Sequence, residues 1–76
     1  MANTYELIKT LENQTFFVNL LNKNVIPLTI LDKKVHYERF LIELENESRW
    51  QAIINTSEEY NVSESTIRRA IIFMES

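Results

Sequence analysis

The chain contains no glycine, no cysteine and a single proline, Pro27, among its 76 residues. The absence of cysteine excludes disulfides, thiolate metal sites and cysteine nucleophiles. The absence of glycine excludes the glycine-rich loops with which many nucleotide-binding proteins hold phosphates. With so few residues that break regular structure, we expect no long loops. No apolar run approaches the roughly 20 residues that a membrane-spanning helix needs, so we expect no membrane segment.

Hydrophobic residues make up 45 % of the chain, a composition that favours a folded domain over a disordered tail. The length predicts a single domain, 1–76, near the lower limit for a self-sufficient core. Asn3, Glu6 and Lys9 interrupt any apolar segment at the amino terminus, so we expect no signal peptide and a cytoplasmic location. The net charge of −3 argues against a protein that coats nucleic acid regardless of sequence. It is compatible with a site-specific reader whose few cations lie on one face.

Residues that cap helices divide the chain. Asn3 followed by Glu6 resembles a capping box and predicts a first helix that Asn13 closes. A second helix is predicted over 15–23, ended by Asn24 in the left-handed conformation. Apolar residues surround this second helix almost completely, as in an element that is buried or faces another subunit. They are Phe16, Phe17, Val18, Leu20 and Leu21.

Three further helices are predicted after Pro27, which favours a connector or a short edge strand over 25–30. Thr29 with Asp32 resembles a capping box for a helix over 29–45, whose apolar residues have helical spacing. They are Tyr37, Phe40, Leu41 and Leu44. Ser48 with Gln51 predicts the next helix, to Tyr60, with one face formed by Trp50, Ile53, Ile54 and Ser57. Ser63 caps the last, whose inward residues are Ile67, Ala70, Ile71 and Met74. The sequence therefore predicts an all-α fold of about five helices.

The stretch YNVSESTIRRAI, residues 60–71, predicts a sharp turn between the last two helices. Asn61 is the best residue other than glycine for a positive φ angle. Val62 is apolar in an otherwise polar turn, so we expect it to fill the angle between the helices. Small Ser57 would let the helices approach closely, and Ile67 would anchor the second helix against this pair.

This arrangement resembles the helix-turn-helix family of bacterial and phage DNA-binding domains. In that family a small residue is followed four positions later by a turn residue, then by a hydrophobic residue, a polar cap and an inward β-branched residue. These places are held by Ser57, Asn61, Val62, Ser63 and Ile67. Ser57 stands where alanine is commoner and Asn61 where glycine is commoner. The resemblance covers 56–71 closely and implies a three-helix core, 29–76, with a carboxy-terminal helix-turn-helix. It also implies a sequence-specific transcriptional regulator that reads double-stranded DNA with helix 64–74.

The resemblance further implies which side chains contact DNA. They are Ser63, Glu64, Ser65, Thr66, Arg68, Arg69 and, at the start of the preceding helix, Arg49. Arg69 is expected to reach the O6 and N7 atoms of guanine, or a phosphate. Each assignment has a structural alternative: Ser63 is a helix cap, Glu64 complements the helix dipole, and the Arg68–Arg69 pair forms a solvated surface.

Other chemistry has little support. His36 is the only histidine, and no second metal ligand stands at a suitable spacing. We therefore expect no metal, no cofactor and no enzymatic activity. The alternative function is a helical protein-interaction adaptor that does not bind DNA, which the acidity and the Ile72–Phe73 pair favour.

Few cations are available to one copy, so we expect a homodimer. The amino-terminal segment 1–24 would form its interface, through Phe16, Phe17, Leu20 and Leu21. The alternative is a monomer in which the connector and the 29–45 helix cover this apolar surface.

Overall fold

A computed structural model of the chain describes residues 3–12, 14–24, 27 and 29–76. Over these residues it contains five helices and no strand. The helices are α1 (Thr4–Leu11), α2 (Thr15–Asn22), α3 (Thr29–Leu44), α4 (Arg49–Tyr60) and α5 (Glu64–Glu75). The predicted all-α fold is confirmed. Within the described part of the chain, no helix combines the length and the apolar character needed to cross a membrane.

Three helices begin at the caps predicted from the sequence. In each, the side chain of the cap accepts a hydrogen bond from the backbone N–H three residues later, at 3.0–3.2 Å. The caps are Asn3, Ser48 and Ser63. Asn24 has a φ angle of 60°, which confirms the left-handed conformation predicted for it. The predicted closure of the first helix by Asn13 lies outside the described residues, as do residues 25, 26 and 28 of the predicted connector.

The predicted capping box of Thr29 and Asp32 is wrong. α3 begins at Thr29, which is therefore a residue of the first turn and not the cap before it. The cause lies upstream, since the carbonyl of Pro27 already accepts a hydrogen bond from the N–H of Ile30 at 3.2 Å. The predicted start of the helix at Thr29 is therefore confirmed, whereas the capping role of Thr29 is not.

α3, α4 and α5 pack against one another around the main core, and α1 lies against α5. Buried core residues come from α1, α3, α4 and α5: Ile8, Tyr37, Phe40, Ala52, Ile53, Ile67, Ile71 and Met74. All four inward residues predicted for α5 are buried. On α3 the prediction holds at Tyr37 and Phe40 but fails at Leu44, which is exposed at the end of the helix.

The buried face of α4 differs from the predicted one. Trp50 is 61 % exposed, whereas Ala52 and Thr56 are fully buried beside Ile53 and Ser57. These four residues follow the helical spacing i, i+1, i+4, i+5, from which Trp50 is displaced. Burial of Thr56 is tolerated because its hydroxyl donates to the carbonyl of Ala52 at 2.8 Å. Hydrophobicity alone therefore mispredicted the orientation of this helix.

Only one side of the apolar surface of α2 is buried. Phe17 is 4 % exposed and Leu21 is also buried, whereas Phe16 is 56 % exposed and Val18 is exposed beside it. Neither Phe17 nor Leu21 belongs to the main core cluster. The four residues predicted as a dimer interface therefore do not form one free surface, since two of them are buried within a single chain.

Two tyrosines tie the helices together through carboxylates. The hydroxyl of Tyr5 on α1 donates to Glu38 on α3 at 2.9 Å. The hydroxyl of Tyr37 on α3 donates to Glu75 on α5 at 3.1 Å. Burial and then the neighbouring carboxylate raise the pKa of each phenol above its usual value of 10.0. These bonds connect three helices around the base of the core.

Candidate nucleic-acid interface

The turn between α4 and α5 has a defined hydrogen-bonded geometry. Asn61 has φ 53° and ψ 48°, the left-handed conformation predicted from the sequence. The N–H of Val62 donates to the carbonyl of Ser57 at 3.0 Å, and the N–H of Asn61 donates to the carbonyl of Glu58 at 3.3 Å. This pair of bonds is the Schellman arrangement, which ends a helix and reverses the chain direction sharply. α5 therefore leaves the turn at a fixed angle to α4.

Packing beneath the turn follows the predicted pattern. Val62 is half-buried and packs against the main core cluster, which contains the fully buried Ile67. Ser57 is buried, and its hydroxyl donates to the carbonyl of Ile54 at 2.8 Å. The small side chain of Ser57 is therefore buried without leaving its hydroxyl unpaired. The local geometry predicted for these motif positions is present.

The first turn of α5 uses its hydroxyls locally. The Ser63 side chain accepts from the N–H of Thr66 at 3.1 Å, and the two hydroxyls lie 3.0 Å apart. Ser63 is thus a helix cap, the structural alternative given for it. Ser65 makes no such bond within the described residues and is exposed, so its hydroxyl is open to a ligand.

The outward face of α5 consists of exposed residues at the predicted positions: Ser65, Arg68, Arg69 and Ile72. Arg68 forms an ion pair of 3.3 Å with Glu64, one turn earlier on the same helix. Its guanidinium also lies 5.6 Å from the centre of the Trp50 ring on α4. Arg68 is therefore held between a carboxylate and an aromatic face, while remaining exposed.

Arg49, the predicted flanking contact, is tied to the protein. Its guanidinium lies 3.3 Å from the carboxylate of Glu75, the same group that accepts the hydroxyl of Tyr37. It also lies 5.3 Å from the centre of the Phe40 ring. Arg49 joins α4 to α5 through these contacts, so a structural role accounts for its position.

Arg69 differs from these two arginines. Among the described residues no carboxylate lies within 4.0 Å of its guanidinium. Arg69 lines a groove of about 280 Å³ between α3 and α5. The groove residues are Thr29, Asp32, Lys33, His36, Val62, Thr66 and Arg69. Sequence reasoning missed the α3 members, because no local pattern joins them to a helix that starts some thirty residues later.

His36 lies in this groove with an unusual environment. Its ring centre is 5.0 Å from that of Tyr60, at the end of α4. Its Nδ1 atom is buried and has no hydrogen-bond partner among the described residues. In that part of the chain, no three His, Cys, Asp or Glu side chains come together as candidate metal ligands.

A second groove, of about 260 Å³, separates the start of α4 from the end of α5. Its lining residues are Arg49, Ile53, Arg68, Ile71 and Ile72. Ile72 is 69 % exposed. Trp50 is also exposed, and its contact with Arg68 places it near this groove. This side of α5 is thus more apolar than the side that faces α3.

Comparison of the chain with protein-family models, curated proteins and solved structures gives no match. The function is therefore inferred from the residues and geometry of the chain itself.

Proposed function

We propose that the chain is a sequence-specific DNA-binding protein, a small prokaryotic or phage transcriptional regulator that places α5 in the major groove. The observation that carries this proposal is the turn between α4 and α5. A left-handed Asn61, an inward Val62 and a capping Ser63 orient a helix whose exposed face carries two adjacent arginines. Helix-turn-helix domains dock with the amino-terminal residues of the second helix toward the bases.

Ser65 and Arg68 are the best candidates for contacts with base edges. Both are exposed in the first half of α5, and serine and arginine donors match acceptors in the major groove. The aromatic face of Trp50 restricts Arg68, which lowers the entropy that a bidentate contact would cost. Glu64 beside it would accept from a cytosine amino group or, in its ion pair, only modulate Arg68.

The position of Arg69 favours a phosphate contact over a guanine contact, the two roles predicted for it. Its side chain lines the groove between α3 and α5 that Lys33 also lines. A phosphate contact suits a cation at the edge of a recognition helix, because backbone contacts fix its register on the duplex. The hydroxyls of Ser63 and Thr66 bond to each other, so these residues would mainly stabilise the first turn of α5 and not contact DNA.

A titration at two salt concentrations tests DNA binding. We expect a labelled duplex to bind in fluorescence polarisation and to lose affinity between about 50 mM and about 200 mM salt. Arg68→Ala and Arg69→Ala should each weaken binding, whereas Lys23→Ala, which removes an exposed cation outside α5, should not. Absence of binding at the lower salt concentration would refute the proposed function.

We further propose that the regulator acts as a homodimer through α2. Of the predicted interface Phe16 is exposed, and Val18 adds a second exposed apolar residue on the same helix. A dyad would double the cations offered to DNA and read half-sites about one helical turn apart. Phe16→Glu should convert the dimer to a 9.1 kDa monomer in sedimentation, whereas Asn46→Glu, on an exposed polar position outside α2, should be silent. A parent chain that sediments as a monomer at micromolar concentration would refute the dimer.

The second candidate function is a protein-interaction adaptor. Exposed Trp50 and Ile72 beside an apolar groove favour it, because aromatic and aliphatic residues of this size commonly anchor protein interfaces. An adaptor would retain its partner at salt concentrations that abolish DNA binding, and would lose it on Trp50→Ala.

A further inference from the structure

The cations of the three core helices divide into two classes. α3, α4 and α5 together carry six lysines and arginines. Four of them lie within 4.0 Å of a carboxylate: Lys34, Arg39, Arg49 and Arg68. The two with no such partner among the described residues are Lys33 and Arg69. Both line the same groove between α3 and α5, although they are far apart in sequence.

The rest of the groove also suits an anion. Thr29 and Thr66 bring hydroxyl groups to its lining, and His36 brings a ring whose buried Nδ1 has no partner in the described part of the chain. Lys33 extends toward α5, since its Nζ atom lies 6.0 Å from the centre of the Phe73 ring. Among the described residues, Asp32 is the only carboxylate in the lining, so the two cations leave the groove with a net positive charge in an acidic protein.

We propose that this groove binds a phosphate group through Lys33 and Arg69, and that the phosphate belongs to the DNA backbone beside α5. The ammonium of Lys33 and the guanidinium of Arg69 supply donors for several oxygens of one phosphate, and such charge-assisted hydrogen bonds are strong. The site would extend the interface from the recognition helix onto α3 and fix the register of α5 on the duplex. The DNA source rests on the proposed function; the other source of the same chemistry is a free phosphate ester.

The DNA experiment compares Lys33→Ala with Lys23→Ala, which removes the same charge from an exposed position outside the groove lining. Lys33→Ala should weaken binding to selected and unrelated duplexes by the same factor. It should also reduce the slope of log affinity against log salt by about 1, as the loss of one phosphate contact does. Lys33→Arg should restore binding, and Lys23→Ala should change it less than Lys33→Ala does.

The carboxylate in the groove gives a test of opposite sign. Asp32→Asn removes the only negative charge from the lining, so it should tighten DNA binding several-fold. Glu45→Gln makes the same change of net charge just after the carboxy-terminal end of α3, and its effect should be smaller. Equal effects of the two variants would assign the gain to net charge and would contradict a phosphate site in the groove.

A titration with inorganic phosphate distinguishes the two sources. Phosphate should shift the amide NMR signals of Lys33, His36 and Arg69 in the parent chain, but not in Lys33→Ala. If phosphate shifts them and no duplex binds, the groove takes a free phosphate and the proposed DNA function is wrong. If duplexes bind with Lys33→Ala and Lys23→Ala alike, and phosphate leaves these signals unchanged, the phosphate site is wrong while DNA binding stands. The site is equally refuted if neither phosphate nor any duplex binds.

Discussion

The guanidinium of Arg68 lies 5.6 Å from the centre of the Trp50 ring, so the most exposed aromatic residue of α4 faces an exposed cation of α5. The contact gives a role to a tryptophan that lies on the solvent side of α4. It restricts an arginine of the proposed recognition helix from the neighbouring helix, and it leaves the guanidinium open to a ligand.

Trp50→Ala should therefore reduce DNA affinity more than stability. The ring is exposed, so its removal should lower the free energy of unfolding by about 1 kcal/mol or less, the scale of an exposed cation–π contact. Polarisation titrations should show weaker binding for Trp50→Ala and near-parental binding for Trp50→Phe, which retains an aromatic face. A Trp50→Ala variant with unchanged affinity would show that Arg68 needs no such support.

Glu64→Gln should have opposite effects on stability and on DNA binding. The carboxylate lies in the first turn of α5, where a negative charge complements the helix dipole, so its loss should cost about 0.3–1 kcal/mol of unfolding free energy. The same change removes a negative charge from the leading tip of the helix and frees Arg68 from its 3.3 Å ion pair. Affinity for duplex DNA should rise. A fall in affinity, measured beside Glu45→Gln as a charge control, would indicate that Glu64 itself contacts a base.

Asn61→Gly should be neutral or slightly stabilising in thermal melts, because glycine adopts a φ of 53° without steric cost. Asn61→Ala should be destabilising by about 1 kcal/mol, since a β-carbon is strained in the left-handed conformation. Asn24, with φ 60° outside the turn, provides the matched control for both substitutions. Strong destabilisation by Asn61→Gly would contradict the geometry of the turn.

Alkaline pH should destabilise the fold through Tyr5 and Tyr37. Burial, and after it the carboxylates of Glu38 and Glu75, raise the pKa of these phenols in the folded chain above the usual 10.0. The unfolded chain therefore loses these protons first, so the stabilisation is complete below pH 10.0 and is lost as the pH rises through the folded-state values. The melting temperature should fall less steeply with pH in a Tyr5→Phe, Tyr37→Phe double variant. If the melting temperature falls equally steeply with pH in the parent and in the double variant, the alkaline destabilisation does not come from these two tyrosines.

The sequence predicted the helices well where local signals set them. Caps at Asn3, Ser48 and Ser63, and left-handed residues at Asn24 and Asn61, depend on hydrogen bonds or φ angles within a few residues. Such features are visible in a short window of sequence. The inward line of α5 was equally predictable, because its apolar residues follow one helical stripe without a competing one.

Features that depend on tertiary packing were not predictable in the same way. The helical spacing of Trp50 with Ile53, Ile54 and Ser57 predicts an inward Trp50, yet Ala52 and Thr56 are the residues that face the core. The burial of Phe17 depends on how separate helices pack, and so does the groove that Lys33 and Arg69 both line. For the candidate DNA-contacting residues, the fold shows how exposed each side chain is and which groups it contacts. These contacts distinguish Arg69 from Arg49 and Arg68, each of which forms an ion pair with a glutamate.

Selection of binding sites from a pool of random duplexes tests sequence-specific DNA binding by α5 most directly. The parent chain should enrich one short motif, and Arg68→Ala should relax the preference at a defined position while the folded helix content stays unchanged in circular dichroism. If the chain is a dimer, the motif should recur with about one helical turn between half-sites. A pool that remains random after repeated rounds, at salt low enough for phosphate contacts to form, would contradict the proposed function.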